Sequence, residues 1–216
     1  GLTLHYYKTK NTQLGTSFDR NISDVRPNLR INLQFKKSES LRLTYRKNTQ
    51  FTDINNLAEG FVFNNYNSIF QGNRELEAAV VNNYNLNYRS INQFTFTNIF
   101  ANANYSKRSN SIQSRANING IDAIRTSTNS NFPRETYSLS GRIDKRFKNF
   151  KLNFSTRFNY SDFTNEVNNQ IRNSKSLNQN YSASIETNFR DKPNFEIGYK
   201  YNINDYNNGG IENQFI

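Results

Sequence analysis

The chain contains no cysteine, methionine or tryptophan, one histidine and three prolines. Without cysteine there is no disulfide scaffold, no thiolate metal site and no cysteine nucleophile. With His5 as the sole histidine, a His-based metal site or catalytic triad would need partners that the chain does not supply, so His5 reads as an ordinary rim or lumen position. Long apolar runs are also missing. The longest are short, such as Ala78 to Val81, against the ~18 consecutive apolar residues of a spanning helix, so any membrane crossing must be made by strands. Only 34% of the residues are hydrophobic, which makes a conventional globular core thin. The chain opens at Gly1 with no methionine, charged n-region or apolar h-region. A signal peptide is therefore expected to have been removed or never included, and the sequence reads as a fragment.

What is present is 18 Phe and 13 Tyr, with asparagine at roughly a fifth of the chain, far above ordinary usage. Polar low-complexity chains are often disordered, but such segments are poor in aromatic and β-branched residues. The formal charge of +11 suits lipopolysaccharide phosphates, nucleic acid or an acidic ligand, and it is spread along the whole chain.

Apolar and polar residues alternate with a period of two in segment after segment. Leu29, Ile31, Leu33 and Phe35 share a face opposite Arg30, Asn32 and Gln34. After the turn Lys36–Ser40, Leu41, Leu43 and Tyr45 oppose Arg42, Thr44 and Arg46, which makes a hairpin. Tyr84, Leu86 and Tyr88 oppose Asn85, Asn87 and Arg89, and lead to Ile99, Ala101, Ala103 and Tyr105. Phe94 and Phe96 fall out of phase with Ile99, which predicts a bulge near Asn98. A third hairpin sets Tyr137, Leu139, Gly141 and Ile143 against Leu152, Phe154, Thr156, Phe158 and Tyr160. In a fourth, Tyr181, Ala183, Ile185, Thr187 and Phe189 precede the turn Asp191–Asn194, which is followed by Phe195, Ile197, Tyr199 and Tyr201. Pro193 suits that turn and would be unwelcome in a ladder.

With Leu2–Lys8 as an initial strand the count is nine, each long enough to cross ~25 Å of hydrocarbon when tilted. Long polar connections at about 47–79, 106–136 and 161–178 alternate with tight turns, the asymmetry of a transmembrane barrel with extracellular loops on one rim and periplasmic turns on the other. The fold expected is all-β: an antiparallel up-and-down transmembrane barrel, with residues 1–216 forming part of one such domain. Nine is an odd number and open edges cannot face lipid, so further strands are expected elsewhere.

Candidate chemistry is sparse. Asp162 with Glu166, and Glu75 with Glu77, have no recognised acid–base or calcium-loop spacing and read as solvated loop charges. No catalytic residue, metal or cofactor is expected, and the chain is read as a non-enzyme. Arg30, Arg42, Arg46, Arg89, Arg142 and Arg157 recur on the polar faces among Asn and Ser, where they line either an anion-attracting passage or a generic hydrated wall. Rings and arginines fall on opposite faces of each strand, which disfavours a single-strand nucleic-acid platform.

Several stretches resemble the TonB-dependent-receptor-like outer-membrane β-barrel family of Bacteroidetes-type bacteria: LRLTYRKNTQ at Leu41–Gln50, SIFQGNREL at Ser68–Leu76, NLNYR at Asn85–Arg89 and TNIFANANYS at Thr97–Ser106. The family's GNPxLKPE loop is altered, with Arg74 after Gly72-Asn73 and Ala78 after Glu77. The resemblance implies a bacterial outer-membrane barrel of roughly twenty-two strands, often preceded by a plug, this chain being drawn from its C-terminal half. It implies ligand uptake with a TonB system as partner, alongside outer-membrane lipid and lipopolysaccharide. A structural barrel that scaffolds surface lipoproteins or secretion machinery remains open, and a soluble β-sandwich adhesin fits the long aromatic strands less well.

Overall fold

A computed structural model describes residues 2–11, 15–57, 60–65, 68–119, 122–167, 170–208 and 211–215. The chain runs β1 (Leu2–Asn11), β2 (Thr16–Val25), β3 (Asn28–Lys36), β4 (Glu39–Gln50), a 3-10 turn (Ile54–Leu57), β5 (Phe61–Asn65), β6 (Ser68–Gln71), β7 (Ala79–Asn92), β8 (Thr97–Ser109), β9 (Ile112–Asn119), β10 (Asp122–Asn129), β11 (Arg134–Arg146), β12 (Phe150–Val167), β13 (Gln170–Thr187), β14 (Glu196–Asn208) and β15 (Ile211–Phe215). Strands β3, β4, β7, β8, β11, β12, β13, β14 and β15 pair with their neighbours in that order, all antiparallel, as one meandering wall. The wall is an open arc: β3 and β15 each keep one edge without a partner strand among the described residues.

Period-two alternation becomes two chemically distinct faces because the registers keep like with like. On the apolar face Ile31 pairs with Leu43, Leu43 with Leu86, Leu86 with Ala103, Ala103 with Leu139 and Leu139 with Phe158. A slip of one residue in any pairing would bring a polar residue, Arg, Asn, Ser or Thr, into this row. Leu29, Leu33, Phe35, Leu139, Ile143, Phe154 and Ile197 all stand exposed on this face, a continuous apolar surface far beyond what a soluble monomer carries.

At the tight end two of the turns, after β7 and after β13, are built by asparagine side chains that take the place of backbone partners. Asn92 Oδ1 accepts from the N–H groups of Phe94 and Thr95, both at 3.0 Å. Asn194 accepts from Phe189 N–H at 2.6 Å and donates to its carbonyl at 3.1 Å, with Pro193 in the same turn and outside every ladder. The bulge expected near Asn98 is absent. Asn98 pairs regularly with Ile91 and Asp144, and the phase break falls instead in a four-residue turn, 93–96, where Phe96 adopts φ 50° and Phe94 is 97% exposed. A turn reverses the chain and resets its phase as a bulge would, so alternation alone does not distinguish them.

The other end is ordered. The stretch 161–178 is mostly strand, with β12 and β13 running on to Val167 and from Gln170. The connections at 47–79 and 106–136 contribute β5, β6, β9 and β10. β9–β10 is an antiparallel hairpin, β10 pairs parallel with β6, and β6 pairs antiparallel with β5. Above the Glu135–Asp162 pair that begins the β11–β12 ladder, β9 meets β12 through Ala116 and Val167. The buried hydrophobic residues among those described are Leu76, Ala79 and Val81, all at this end. Asn73 N–H reaches Asn56 O at 2.7 Å, Asn73 Oδ1 caps Glu75 N–H at 2.9 Å, and Leu76 follows at 2% exposure. Asn129 clamps the backbone of Glu77 from both sides, at 2.8 and 2.9 Å.

The hairpin β1–β2 closes through Gly15, whose φ of 65° suits glycine. It pairs separately from the wall. Asp24, near the end of β2, is buried against Arg26. Burial acts to raise its pKa, but the Thr49 hydroxyl and the cations of Arg26 and Lys47 overcome that and hold it below the ordinary carboxyl value. The sequence pattern does not mark β2, because Thr16–Val25 carries no alternating run of apolar residues.

Candidate functional site: the two faces of the wall

The apolar face is bounded towards the ordered loops by a row of tyrosines in register: Tyr45, Tyr84, Tyr105, Tyr137 and Tyr160, on five successive strands. Their ring centroids lie 4.8, 5.8, 4.7 and 6.1 Å apart. Hydroxyls turn to polar residues one row further out, Tyr45 to Asn82 and Tyr137 to Glu135, each at 2.9 Å. Lys107 meets Glu135 at 3.4 Å in that outer row. Apolar ring on one side and polar tip on the other is the arrangement of an aromatic girdle at a membrane surface. The opposite limit of the apolar face drifts along the wall. Leu41 lies four residues from Tyr45, Ile143 six from Tyr137 and Phe150 ten from Tyr160. Tilted strands require a drift of this kind if the boundary is to stay level.

The wall curves so that its polar face is concave and encloses a trough of ≈ 1580 Å³. On its strands Arg42, Arg89, Arg142, Arg157 and Lys200 line it with Asn32, Asn87, Asn102, Asn180, Asn202, Ser155 and Ser182, Lys36 and Lys37 border it at the β3–β4 turn, and no Asp or Glu is among the lining residues. Arg42 donates from Nε to Asn32 Oδ1 at 2.8 Å, and Arg142 donates from Nε to both oxygens of Asp144 at 2.8 and 3.0 Å. Each guanidinium is thus oriented through one nitrogen, leaving its terminal nitrogens unused by that bond. Asparagines pair across and along strands: Asn102 donates to Asn87 at 2.7 Å, and Asn87 in turn to Asn85. Ser155 and Ser182 meet at 3.1 Å. These short polar side chains satisfy one another while leaving the space over the sheet open.

Of the six arginines singled out in the sequence, Arg42, Arg89, Arg142 and Arg157 come together in the trough, whereas Arg30 and Arg46 stand on the same face outside its lining. Lys200 and Phe100 are among the lining residues that the sequence pattern did not single out. Lys200 sits between Tyr199 and Tyr201, and Phe100 between Ile99 and Ala101; period-two counting from those neighbours puts both on the polar face. His5 pairs with Ile22 in β1, its side chain outside the described residues. Asp162 lies beside Tyr160 at 3.5 Å, and the Glu166 side chain is outside the described residues. Glu75 is exposed, and Glu77 accepts from Asn110 at 3.3 Å.

The whole chain, residues 1–216, matches the model of the outer membrane protein beta-barrel family. No curated protein and no solved structure matches it. The chain belongs to this family, and its location is the bacterial outer membrane.

Proposed function

Starting from a wall segment of an outer-membrane barrel, we propose that the parent protein is a receptor and transporter of the TonB-dependent type, which takes up an external ligand through the lumen behind the polar face. The observation that carries this reading is the concavity. A sheet that exposes Leu, Ile, Phe and Tyr on its convex side and curves around Arg, Asn and Ser has the inside-out polarity of a water-filled barrel. The lumen-side groups are short and hydrogen-bonded to one another along the wall, which suits a passage better than a packed interior. A barrel of roughly twenty-two strands would enclose a plug, and energy for plug movement would come from the TonB system.

The ordered loops support a second reading, in which the barrel holds a surface lipoprotein or an assembly partner. β5 ends the loop sheet with Phe61, Val62 and Phe63 exposed, and an apolar edge of this kind is what a protein partner pairs with. The two readings separate in cells carrying or lacking the full-length gene, compared for depletion of solutes from a defined medium with and without a protonophore. Uptake predicts a solute consumed only by energised cells with the gene. A scaffold predicts no such solute and a co-purifying surface protein.

A further inference from the structure

Apart from Lys36 and Lys37 at the β3–β4 turn, the cations of the trough stand on its strands at regular intervals, and the spacing names a ligand class. Two adjacent rows cross the polar face. In one, Arg42 pairs with Asn87, Asn87 with Asn102, Asn102 with Ser140, Ser140 with Arg157, Arg157 with Asn180 and Asn180 with Asn202. In the next, Ser40 pairs with Arg89, Arg89 with Phe100, Phe100 with Arg142, Arg142 with Ser155, Ser155 with Ser182 and Ser182 with Lys200. Arg42 and Arg89 are therefore diagonal neighbours on β4 and β7, and Arg142 and Arg157 are diagonal neighbours on β11 and β12. At ~4.8 Å per strand the two pairs are centred ~14 Å apart, with Lys200 roughly 12 Å further along on β14. Between the arginine pairs lies Phe100, the one aromatic residue of these two rows, flanked in register by Arg89 and Arg142. Among the described residues Arg89, Arg157 and Lys200 have no carboxylate partner, and only Asp144 offsets the set, through Arg142.

We propose that this belt binds an extended, hydroxyl-bearing oligoanion, whose anionic groups reach successive cation pairs while an apolar face of its backbone rests on Phe100. The inference rests on the polar face being the lumen. A compact ion would be served by one arginine pair and has no use for the second at ~14 Å. Guanidinium groups bind carboxylate, sulfate or phosphate oxygens in bidentate fashion. Asn87 and Asn102 spend part of their capacity on each other and on Asn85, whereas the amides of Asn180 and Asn202, between Arg157 and Lys200, are left to both donate and accept. Their acceptor oxygens call for ligand hydroxyls, which a bare phosphate chain lacks.

The test uses the full-length protein in detergent and three probes: a short fluorescent dextran sulfate, the neutral dextran of equal length, and inorganic sulfate as a competitor. The sulfated oligomer should bind at least about tenfold more tightly than the neutral one, with an affinity that falls as salt rises, and inorganic sulfate should displace it only at far higher concentration. Arg89→Gln and Arg142→Gln should each weaken binding by about tenfold or more, the scale of a lost charge-assisted contact. Phe100→Ala should weaken both oligomers, and Lys192→Gln, in the tight turn outside the trough, should change nothing. Heat-modifiable gel migration verifies that each variant is folded. Equal binding of the two oligomers overturns the proposal. So does displacement by sulfate at matching concentration, or an equal loss from Lys192→Gln, which would mark a mere effect of the +11 charge. Binding without cellular uptake would refute the transporter reading and leave this one standing; uptake without binding would do the reverse.

Discussion

Replacing Phe154 by arginine sets the two faces of the wall against each other. Phe154 is 47% exposed on the apolar face, in register with Ile143 and Ala183. It lies six residues from Tyr160, at the aromatic boundary. At ~3.3 Å per residue and a tilt of ~40°, that is about 15 Å below the boundary, close to the middle of a ~25 Å apolar band. Arginine at that depth on a lipid-facing position costs about 2–4 kcal/mol, which is roughly 30- to 1,000-fold in the folding equilibrium at ~1.4 kcal/mol per factor of ten. Its neighbour Ser155 faces the trough, where it meets Ser182 and stands in register with Arg142, so Ser155→Arg should cost about 1 kcal/mol or less, the cross-strand like charge included. The assay is denaturant titration of the full-length barrel in lipid vesicles, with the slope compared between variants to verify that the same surface is exposed on unfolding. Equal costs at 154 and 155, or a larger cost at 155, would refute the assignment of lipid to the apolar face.

Leu76→Ala should loosen the loop cap by about 2–5 kcal/mol, the range for a buried leucine, while the wall stays folded; limited proteolysis within 51–79 with intact heat-modifiability checks both. Asp24→Asn should destabilise the β1–β2 hairpin near neutral pH by about 1–3 kcal/mol, as expected for a lost charge-assisted bond. Because the folded-state pKa of Asp24 is lowered, its contribution is fully present above the unfolded carboxyl value of about 3.9 and is lost as pH falls through the folded value. Hydrogen exchange in β1–β2 should therefore rise on acidification in the wild type more than in Asp24→Asn. With no native thiol in the chain, single cysteines at Glu75 and Ser114 should react with an impermeant maleimide in intact cells, and those at Ser38 and Lys192 should not; the opposite pattern would invert the barrel.

The wall was legible in the sequence because a half-solvated strand leaves a period-two signature at every residue. The hairpins through Ile31 and Leu43, Leu139 and Phe158, and Ile185 and Ile197 could be paired from that signature and a tight turn. Period two carries no information on how far one strand slides past the next, so the tyrosine row became visible only through the registers. β5, β6, β9 and β10 were hidden for a different reason. They lie beyond the tyrosine row, in connections without a period-two apolar face, and their strands are held by long-range pairings such as Ala123 with Ser68. In the trough, the arginines stood out as charges among Asn and Ser. Phe100 did not, because an aromatic residue in a strand this rich in rings gives no sign of facing water until the phase is counted from Ile99 and Ala101.

The claim that the two faces of one strand meet different solvents is tested most directly along β12. Spin labels placed one at a time at cysteines replacing Leu152, Asn153, Phe154, Ser155, Thr156, Arg157 and Phe158 of the full-length protein in vesicles report collisions with lipid-soluble oxygen and with a water-soluble nickel chelate. The account predicts strict alternation, with oxygen favoured at 152, 154, 156 and 158 and the chelate at 153, 155 and 157. Uniform accessibility along the strand, or alternation of the opposite phase, would contradict it.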